Sequence, residues 1–426
     1  MRLLYTCLLY LAGPFILLRL WWRGRRQPEY RQRIGERLGR IKPPHDPSDV
    51  WVHAVSVGES IAAMPLIEAL IARHGERHVW VTTTTPTGSA RVIEQFGQRV
   101  LHSYAPYDWP VAVARFLNRV QPRQIVVMET EIWPHLFRAA TRRGIPLVIA
   151  NARLSPRSFK GYSKLRRSIA KVLADCRMIA AQSDADAVRF TALGAPHVQV
   201  MGNLKFDLSV PQVQLEAGHA LRVEFGIQRP VWIAASTHDG EEAAVLAAHQ
   251  TILAGFPDAL LMLVPRHPQR FDAVWQRIRD SGLVAERRSR PRALQDDCRN
   301  TRLATTQVYL GDSMGEMFTY LATADLAFIG GSLVPVGGHN VLEPATLGLP
   351  VLFGPHMHNF EGARNLLLDC EAAVQVADGT ALAAQVSQLL GDPARRARLG
   401  EAGRNAVAAN RGALQRLLHI LDDNGR

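Results

Sequence analysis

The stretch 51-WVHAVSVGESIAAMPLIEALIA-72 decides how this chain folds. Residues 51–55 form a short, apolar, partly β-branched run, the composition of a buried strand. From residue 61 the apolar positions recur at helical spacing, so residues 61–72 are predicted helical. Between the two lies Ser56-Val57-Gly58-Glu59-Ser60, a turn in which Gly58 permits a tight bend and Glu59 falls at the helix start. A strand running directly into a helix is one βα unit.

The same alternation spreads outward. Residues 79–83, 125–128, 146–149 and 178–181 read as further buried strands, with helical segments at 110–120 and 134–143 between them. Strand followed by helix, repeated, implies a parallel sheet covered on both faces. The rhythm pauses between residues 207 and 229 and resumes with strands at 231–235, 260–264, 308–310, 326–329 and 351–353. The expected domains are an anchor at 1–22, an α/β domain at 23–207, a linker at 208–228 and a second α/β domain at 229–426. A helical segment from residue 393 onward is expected at their junction, and residues 286–302 as an exposed loop. A length of 426 residues suits two such domains. Two doubly wound domains are expected to hold ligands in the cleft between the carboxyl ends of their sheets.

With 50 Lys+Arg against 38 Asp+Glu, the net charge is +12, which calls for an anionic partner: nucleic acid, a phosphorylated ligand or a membrane surface. The four cysteines (Cys7, Cys176, Cys298, Cys370) form no CxxC pair, which argues against a disulfide framework or structural metal. Residues 3–22 are apolar and aromatic apart from Arg19, about the length of a bilayer span. Trp21, Trp22, Arg23, Arg25 and Arg26 follow the apolar run, where a signal peptide would have small residues. Aromatic residues followed by arginines suit an uncleaved anchor with the rest of the chain on the cytoplasmic side. The competing reading is a buried helix of a soluble domain.

Candidate chemistry lies where predicted strands end. Glu59 at its helix start can serve as a general base, although capping and the helix dipole also favour an acid there, so position leaves both readings open. Met128-Glu129-Thr130-Glu131-Ile132-Trp133-Pro134 sets two acids and a tryptophan at another strand end. The basic, aromatic run from Asn151 to Tyr162 carries Arg153 and Arg157 and suits phosphates or an anionic membrane. Lys205, in Gly202-Asn203-Leu204-Lys205-Phe206-Asp207, can neutralise charge developing on a leaving group.

The second half adds Ala235-Ser236-Thr237-His238, Pro265-Arg266-His267-Pro268, and Gly311-Asp312-Ser313-Met314-Gly315-Glu316-Met317, which is expected to open a helix. Gly330-Gly331-Ser332 then precedes Gly337-Gly338-His339-Asn340-Val341-Leu342-Glu343-Pro344, with a helix expected from about Asn340. There the glycine N–H groups are expected to close on a phosphate, Arg266 to pair with its oxygens and Glu343 to bind ribose hydroxyls. No P-loop pattern is present. No D-x-D is expected to stand at a strand end, so nothing suggests that a metal holds a nucleotide diphosphate, and Lys and Arg are expected to do that work.

Seven stretches, in order, carry a specific resemblance: VSVGES, METEIWP, NARLSPRSFKGY, GNLKFD, VPRHPQRF, GDSMGEM and GGHNVLEP. They resemble the bacterial 3-deoxy-D-manno-octulosonic acid (Kdo) transferase family of lipopolysaccharide synthesis, over nearly the whole chain. The resemblance implies a GT-B fold of two Rossmann-like domains facing a cleft. It implies transfer of Kdo from CMP-Kdo to the 6′-hydroxyl of a lipid A precursor (lipid IVA), with inversion and without a metal or other cofactor. Glu59 matches the family's proton acceptor, and Glu131 and Lys205 match residues supporting the transition state. Arg266, His267, Met314, Gly315, Glu316, Gly337, Gly338, His339, Asn340 and Glu343 match loops around the CMP. Val341 stands where proline is common. Ser56, Gly58, Arg153 and Arg157 are expected on the acceptor side.

The expected partners are CMP-Kdo, the lipid A precursor and the anionic surface of the bacterial inner membrane, with no nucleic acid. Two alternatives stay open at this point: a GT-B enzyme using UDP- or GDP-sugars, including an epimerase, and a basic membrane-tethered binding protein without turnover.

Overall fold

Each apolar run of the first half becomes a parallel strand because both of its faces are buried. The computed structural model describes residues 2–25, 27–44, 46–289 and 303–423. It divides into two units, Met1–Asp207 with Arg411–Arg426, and Leu208–Asn410.

The first unit is built on β1 (Val50–His53), β2 (Val79–Thr83), β3 (Leu101–Tyr104), β4 (Gln124–Met128), β5 (Leu147–Ala152), β6 (Met178–Ala181) and β7 (Val198–Val200). All pair in parallel in the order β3-β2-β1-β4-β5-β6-β7. Successive side chains point to opposite faces. Val50, Val52, Val79, Val81 and Val126 meet helix Val57–His74 and helix Ala413–Asp423 on one side. Trp51, Trp80, Ile125, Val127 and Ile149 meet helices Pro110–Val120, Pro134–Arg142 and Arg166–Leu173 on the other.

The second unit repeats the plan with β8 (Val231–Thr237), β9 (Leu260–Pro265), β10 (Ala285–Arg287), β11 (Val308–Leu310), β12 (Leu326–Ile329), β13 (Val351–Phe353) and β14 (Ala373–Gln375). Its order is β10-β11-β9-β8-β12-β13-β14, again all parallel. In each sheet the order reverses beside the first strand, between β1 and β4 and between β8 and β12. Ligands of doubly wound sheets sit outside the carboxyl ends of the strands at such a reversal.

The chain's partition differs from the expectation in two places. The last helix, Ala413–Asp423, completes the first unit's core with Leu417, Leu418, Ile420 and Leu421. Asp207 holds its start by accepting from Gly412 N and Leu414 N, both at 2.6 Å. Residues 208–228 are no free linker either. Helix Gln212–Phe225 belongs to the second unit, where Arg222 pairs with Asp325 at 3.2 Å and Phe225 packs against Tyr309. A Cβ on Gly218 would lie 2.5 Å from the Thr319 carbonyl oxygen, so glycine is required for this contact. The loop expected at 286–302 begins within β10, and residues 290–302 lie outside the described residues.

Candidate functional site

In the first unit the reversal point lies between the loops that follow β1 and β4, so it brings VSVGES beside METEIWP. Helix Val57–His74 starts one residue after its cap, Ser56. Ser56 Oγ accepts from Glu59 N at 3.2 Å and donates to Glu59 Oε1 at 2.9 Å, while Val55 N donates to Oε2 at 2.8 Å. This reciprocal cap is the structural role that position alone allowed for Glu59. It also freezes the carboxyl group in one place.

That carboxyl is only 7% exposed. Burial pushes its pKa up to about 7, against the pull of the Val55 N–H, and Glu131 and then Glu129 add to the rise. A buried acid near neutrality, with two more acids close by, has the electrostatics of a general base. Gly58 is not explained by a tight bend, because it lies inside the helix and a Cβ there would meet only Ser56 Oγ at 3.8 Å. It is exposed next to the buried Glu59 and keeps that approach open.

Glu129 and Glu131 follow β4 with different surroundings. Glu129 takes a left-handed backbone, φ 55°, which turns the chain sharply as it leaves the strand. Trp133 Nε1 donates to Glu131 Oε2 at 2.7 Å, and the Trp133 ring meets His53 edge-on at 4.4 Å. His53 is fully buried and bonded to Thr82 Oγ1 at 2.9 Å, and burial holds its pKa down at about 3, so it stays neutral. Burial raises the Glu131 pKa, with Glu129 adding to the effect. Burial raises that of Tyr162 as well, and the Glu131 charge adds to it. Thr130 Oγ1 donates to the Arg153 carbonyl and so joins the β4 and β5 loops. Arg153 and Arg157 are exposed.

Lys205 is positioned by a residue that sequence reasoning quoted but gave no role. Asn151, buried and left-handed (φ 54°) where β5 breaks register with β6, accepts from Leu204 N at 3.0 Å. Asn203 accepts from Lys205 N at 3.0 Å, fixing the short turn Leu204–Phe206.

In the second unit, the loops after β8, β9 and β12 bring four basic side chains together. His238 and His339 stack with ring centroids 5.0 Å apart and share a hydrogen bond of 2.7 Å between their Nε2 atoms. His267 meets His238 edge-on at 5.1 Å. Burial, then Arg266 and the neighbouring imidazoles, hold His339 at about 3; burial and then His267 lower His238. His238 and His339 are therefore neutral beside a permanent guanidinium cation. Glu343 joins them: burial raises its carboxyl pKa, opposed by a hydrogen bond from Asn340 Nδ2 at 3.1 Å and by Arg266.

Three expectations for this unit change. The glycine loops do not offer their N–H groups to a ligand. Gly331 N and His238 N donate to Glu241 Oε2 (2.7 and 2.9 Å), and Ser332 N and Leu333 N donate to Oε1 (3.0 and 2.9 Å). Gly337 N and Gly338 N donate to the Gly331 carbonyl at 3.1 and 2.7 Å. These two glycines are needed because both have positive φ and a Cβ on either would strike residues 357–359. Second, the helix begins at Leu342, and Asn340 caps it by accepting from Leu342 N at 3.1 Å. Third, the helix after Gly311 begins only at Met317. Glu316 is held there by Arg288 at 2.7 Å, and by Ser313, which keeps its pKa low. Met314 and Gly315 are exposed.

Sequence reasoning missed Glu241. It stands fully buried at the start of helix Glu241–Gly255, and nothing in the sequence separates it from an ordinary first-turn acid. His238 was visible as a polar residue at a strand end. A D-x-D does follow β6, at Asp184 and Asp186. Asp186 is taken up by Ser183 Oγ (2.6 Å), Leu154 N (2.9 Å) and Arg189 (3.3 Å), so it serves as a cap and loop tie. Among the described residues no three His, Cys, Asp or Glu side chains are grouped to hold a metal ion.

Residues 32–208 match the family model described as 3-Deoxy-D-manno-octulosonic-acid transferase (kdotransferase). The chain is 42% identical to the 3-deoxy-D-manno-octulosonic acid transferase of Haemophilus influenzae, over 99% of this chain and 98% of that one. It is 38% identical to the transferase of the same name from Bordetella pertussis, over 99% of each. In fold it is similar to UDP-GlcNAc 2-epimerase from Neisseria meningitidis bound to UDP-GlcNAc (TM-score 0.57, 14% identity, 88% of this chain and 100% of that one). Whole-length identity at this level, joined to acids at the β1–β4 reversal and a histidine–arginine cluster at the β8–β12 reversal, places the chain in the 3-deoxy-D-manno-octulosonic acid transferase family, GT-B glycosyltransferases that transfer Kdo in lipopolysaccharide synthesis.

Proposed function

We propose that the enzyme moves Kdo from CMP-Kdo to the 6′-hydroxyl of a lipid A precursor, inverting the anomeric centre, with Glu59 as the base and no metal. The observation that carries this reading is the buried, doubly capped Glu59 carboxyl, pushed up to about 7 beside Glu131 and Glu129. Glu59 takes the proton of the acceptor hydroxyl as that oxygen attacks the anomeric carbon. The bond from that carbon to the CMP phosphate oxygen breaks, and the electron pair leaves with CMP. Attack opposite the leaving group inverts the centre.

The first unit contributes the base, Glu131 and Lys205. Arg266, His267 and the neutral His238 and His339 of the second unit suit the departing phosphate, since imidazole N–H groups donate to an anion without an added charge. With the glycine amides already engaged, side chains take the part first assigned to a backbone cradle. CMP leaves as a monophosphate, less charged than a diphosphate, and cations of the protein suffice to balance it. Residues 1–22 hold the enzyme on the cytoplasmic face of the inner membrane, where the lipid acceptor is found.

Incubation with CMP-Kdo and a tetraacylated lipid A precursor, with products read by mass, tests the proposal and counts the sugars added. A product mass unchanged from the precursor rules out the acceptor. Two variants probe the site. Gly58→Ala should leave the melting temperature unchanged or slightly higher, since alanine is the better helix former by about 1 kcal/mol. Its KM for the lipid should nonetheless rise several-fold as the approach to Glu59 narrows. Trp133→Phe removes the hydrogen bond that fixes Glu131, which is worth about 1.5–3 kcal/mol to a charged partner. Steady-state kinetics should show kcat reduced roughly ten-fold or more, with KM for CMP-Kdo little changed.

A further inference from the structure

The N-terminal helix, Arg2–Arg23, has two faces that use different residues. One face is docked on the first unit over residues 5–13. Near its start Tyr5 Oη donates to Asp108 Oδ2 at 3.0 Å, and Thr6 Oγ1 and His135 Nε2 are hydrogen-bonded at 3.1 Å. At its middle Tyr10 stacks on Trp109, and Gly13 lies so close to the same ring that a Cβ would stand 3.2 Å from it. Further on, Leu20 is buried. The opposite face exposes Leu4, Leu8, Leu11, Phe15, Leu18 and Trp22, an unbroken apolar stripe at alternating spacings of four and three.

We infer that this helix lies flat in the lipid–water interface of an anionic membrane leaflet, along the first unit, and does not cross the bilayer. The inference rests on the reading of the helix as a membrane anchor and specifies its posture. In a crossing helix with Arg23 at the near surface, Tyr5 would sit about 27 Å deeper, at 1.5 Å per residue. That is close to the far side of a hydrocarbon core of about 30 Å. Tyr5 cannot go there alone while docked. Asp108 also accepts from His135 N (3.1 Å) and Leu136 N (2.8 Å), capping helix Pro134–Arg142, which follows the β4 loop. Crossing would carry open loops of the α/β body into lipid, where unpaired backbone groups are not tolerated, or would break every contact of the docked face.

The charge around the stripe selects lipid as its occupant. No acid precedes Glu29, whereas Arg19, Arg23 and Arg25 flank the exposed tryptophans. Arg25 and Arg31 lie over the Trp21 ring at 4.7 and 4.8 Å. A concavity lined by Trp22, Arg23, Arg25, Gln27 and Tyr30 at this end suits a lipid phosphate. An apolar face bordered by tryptophan and arginine is the pattern of interfacial helices, which sink their apolar side about 5–10 Å into the boundary.

The test uses the full-length enzyme with an epitope tag ahead of Met1, in spheroplasts of a Gram-negative host treated with external protease. A flat helix keeps the tag on the side of the α/β units, so the epitope should survive until the membrane is permeabilised and then be lost. Digestion in intact spheroplasts would show that the helix crosses and would overturn the inference. Recovery of the enzyme in the soluble fraction, with no binding to phosphatidylglycerol vesicles, would overturn the anchor reading itself and the posture with it.

Discussion

Glu59→Gln is expected to abolish Kdo transfer, with a loss of about 10²–10⁴-fold in kcat, the range general-base catalysis contributes. Glutamine fills the same volume and can still accept from Val55 N, so the start of helix Val57–His74 survives and the thermal shift caused by CMP should be unchanged. Only the proton acceptor is lost. Glu59→Ala should show the same kinetic loss plus a destabilisation of about 1 kcal/mol, because the reciprocal cap with Ser56 goes as well. Near-normal turnover of Glu59→Gln would refute the base assignment. Loss of the CMP shift would mean that the residue acts through the fold.

The pH dependence follows from the same carboxyl. The base acts deprotonated, so kcat/KM should climb with pH through about 7 and level off above it, and the rising limb should be absent from any residual activity of Glu59→Gln. For stability the sign is opposite. The folded pKa lies above the ordinary value of 4.5, so the fold favours the neutral acid. Its contribution is fully present below about 4.5 and is lost as pH rises through about 7. Urea midpoints taken across that window should fall more steeply for the native enzyme than for Glu59→Gln.

Glu241→Gln is expected to have the largest effect on stability. The Glu241 carboxylate is fully buried and each oxygen accepts two backbone N–H groups. An amide replaces one oxygen with an NH₂ group facing two donors. Each buried donor left without a partner costs about 1–3 kcal/mol, so the loss is about 2–6 kcal/mol. The glycine turn at 330–333 holds the loop that ends in His339 and Asn340, because Gly337 N and Gly338 N hang from the Gly331 carbonyl. Affinity for CMP should therefore fall more than ten-fold along with the urea midpoint of the second unit. An unchanged midpoint would show that water replaces the carboxylate at little cost and would remove Glu241 as the loop's support.

These two acids show what could be read directly and what could not. Both stand in the first turn of a helix after a strand, and by local rules both are helix-start acids. Glu59 drew attention by its place between a strand and a helix, and the resemblance carried by VSVGES gave it a role; its reciprocal cap is legible too, since serine and glutamate three apart are the signature of one. The near-neutral carboxyl was not legible, because it arises from burial and from Glu131 and Glu129 in the loop after another strand. Glu241 escaped notice altogether: its four partners lie on its own loop and about ninety residues away. The glycines at 337 and 338 were read as a phosphate cradle because residue type gives no hint that residues 357–359 would press on them.

The apolar runs by themselves determined ten strands, the parallel α/β class and two domains. A strand inside a doubly wound sheet is buried on both faces and must be apolar throughout, a pattern visible without knowing its neighbours. The strands not foreseen are β3, β7, β10 and β14, the four sheet edges. Their sequences LHSY, VQV, AER and AVQ are less than fully buried and carry polar residues, so only pairing with the next strand makes them strands. Tertiary structure alone decided three further matters: that the last helix closes the first unit, that acids from β1 and β4 meet, and that the N-terminal helix docks by Tyr5, Thr6 and Gly13. Each depends on contacts between residues far apart in sequence, which hydrophobic periodicity does not encode.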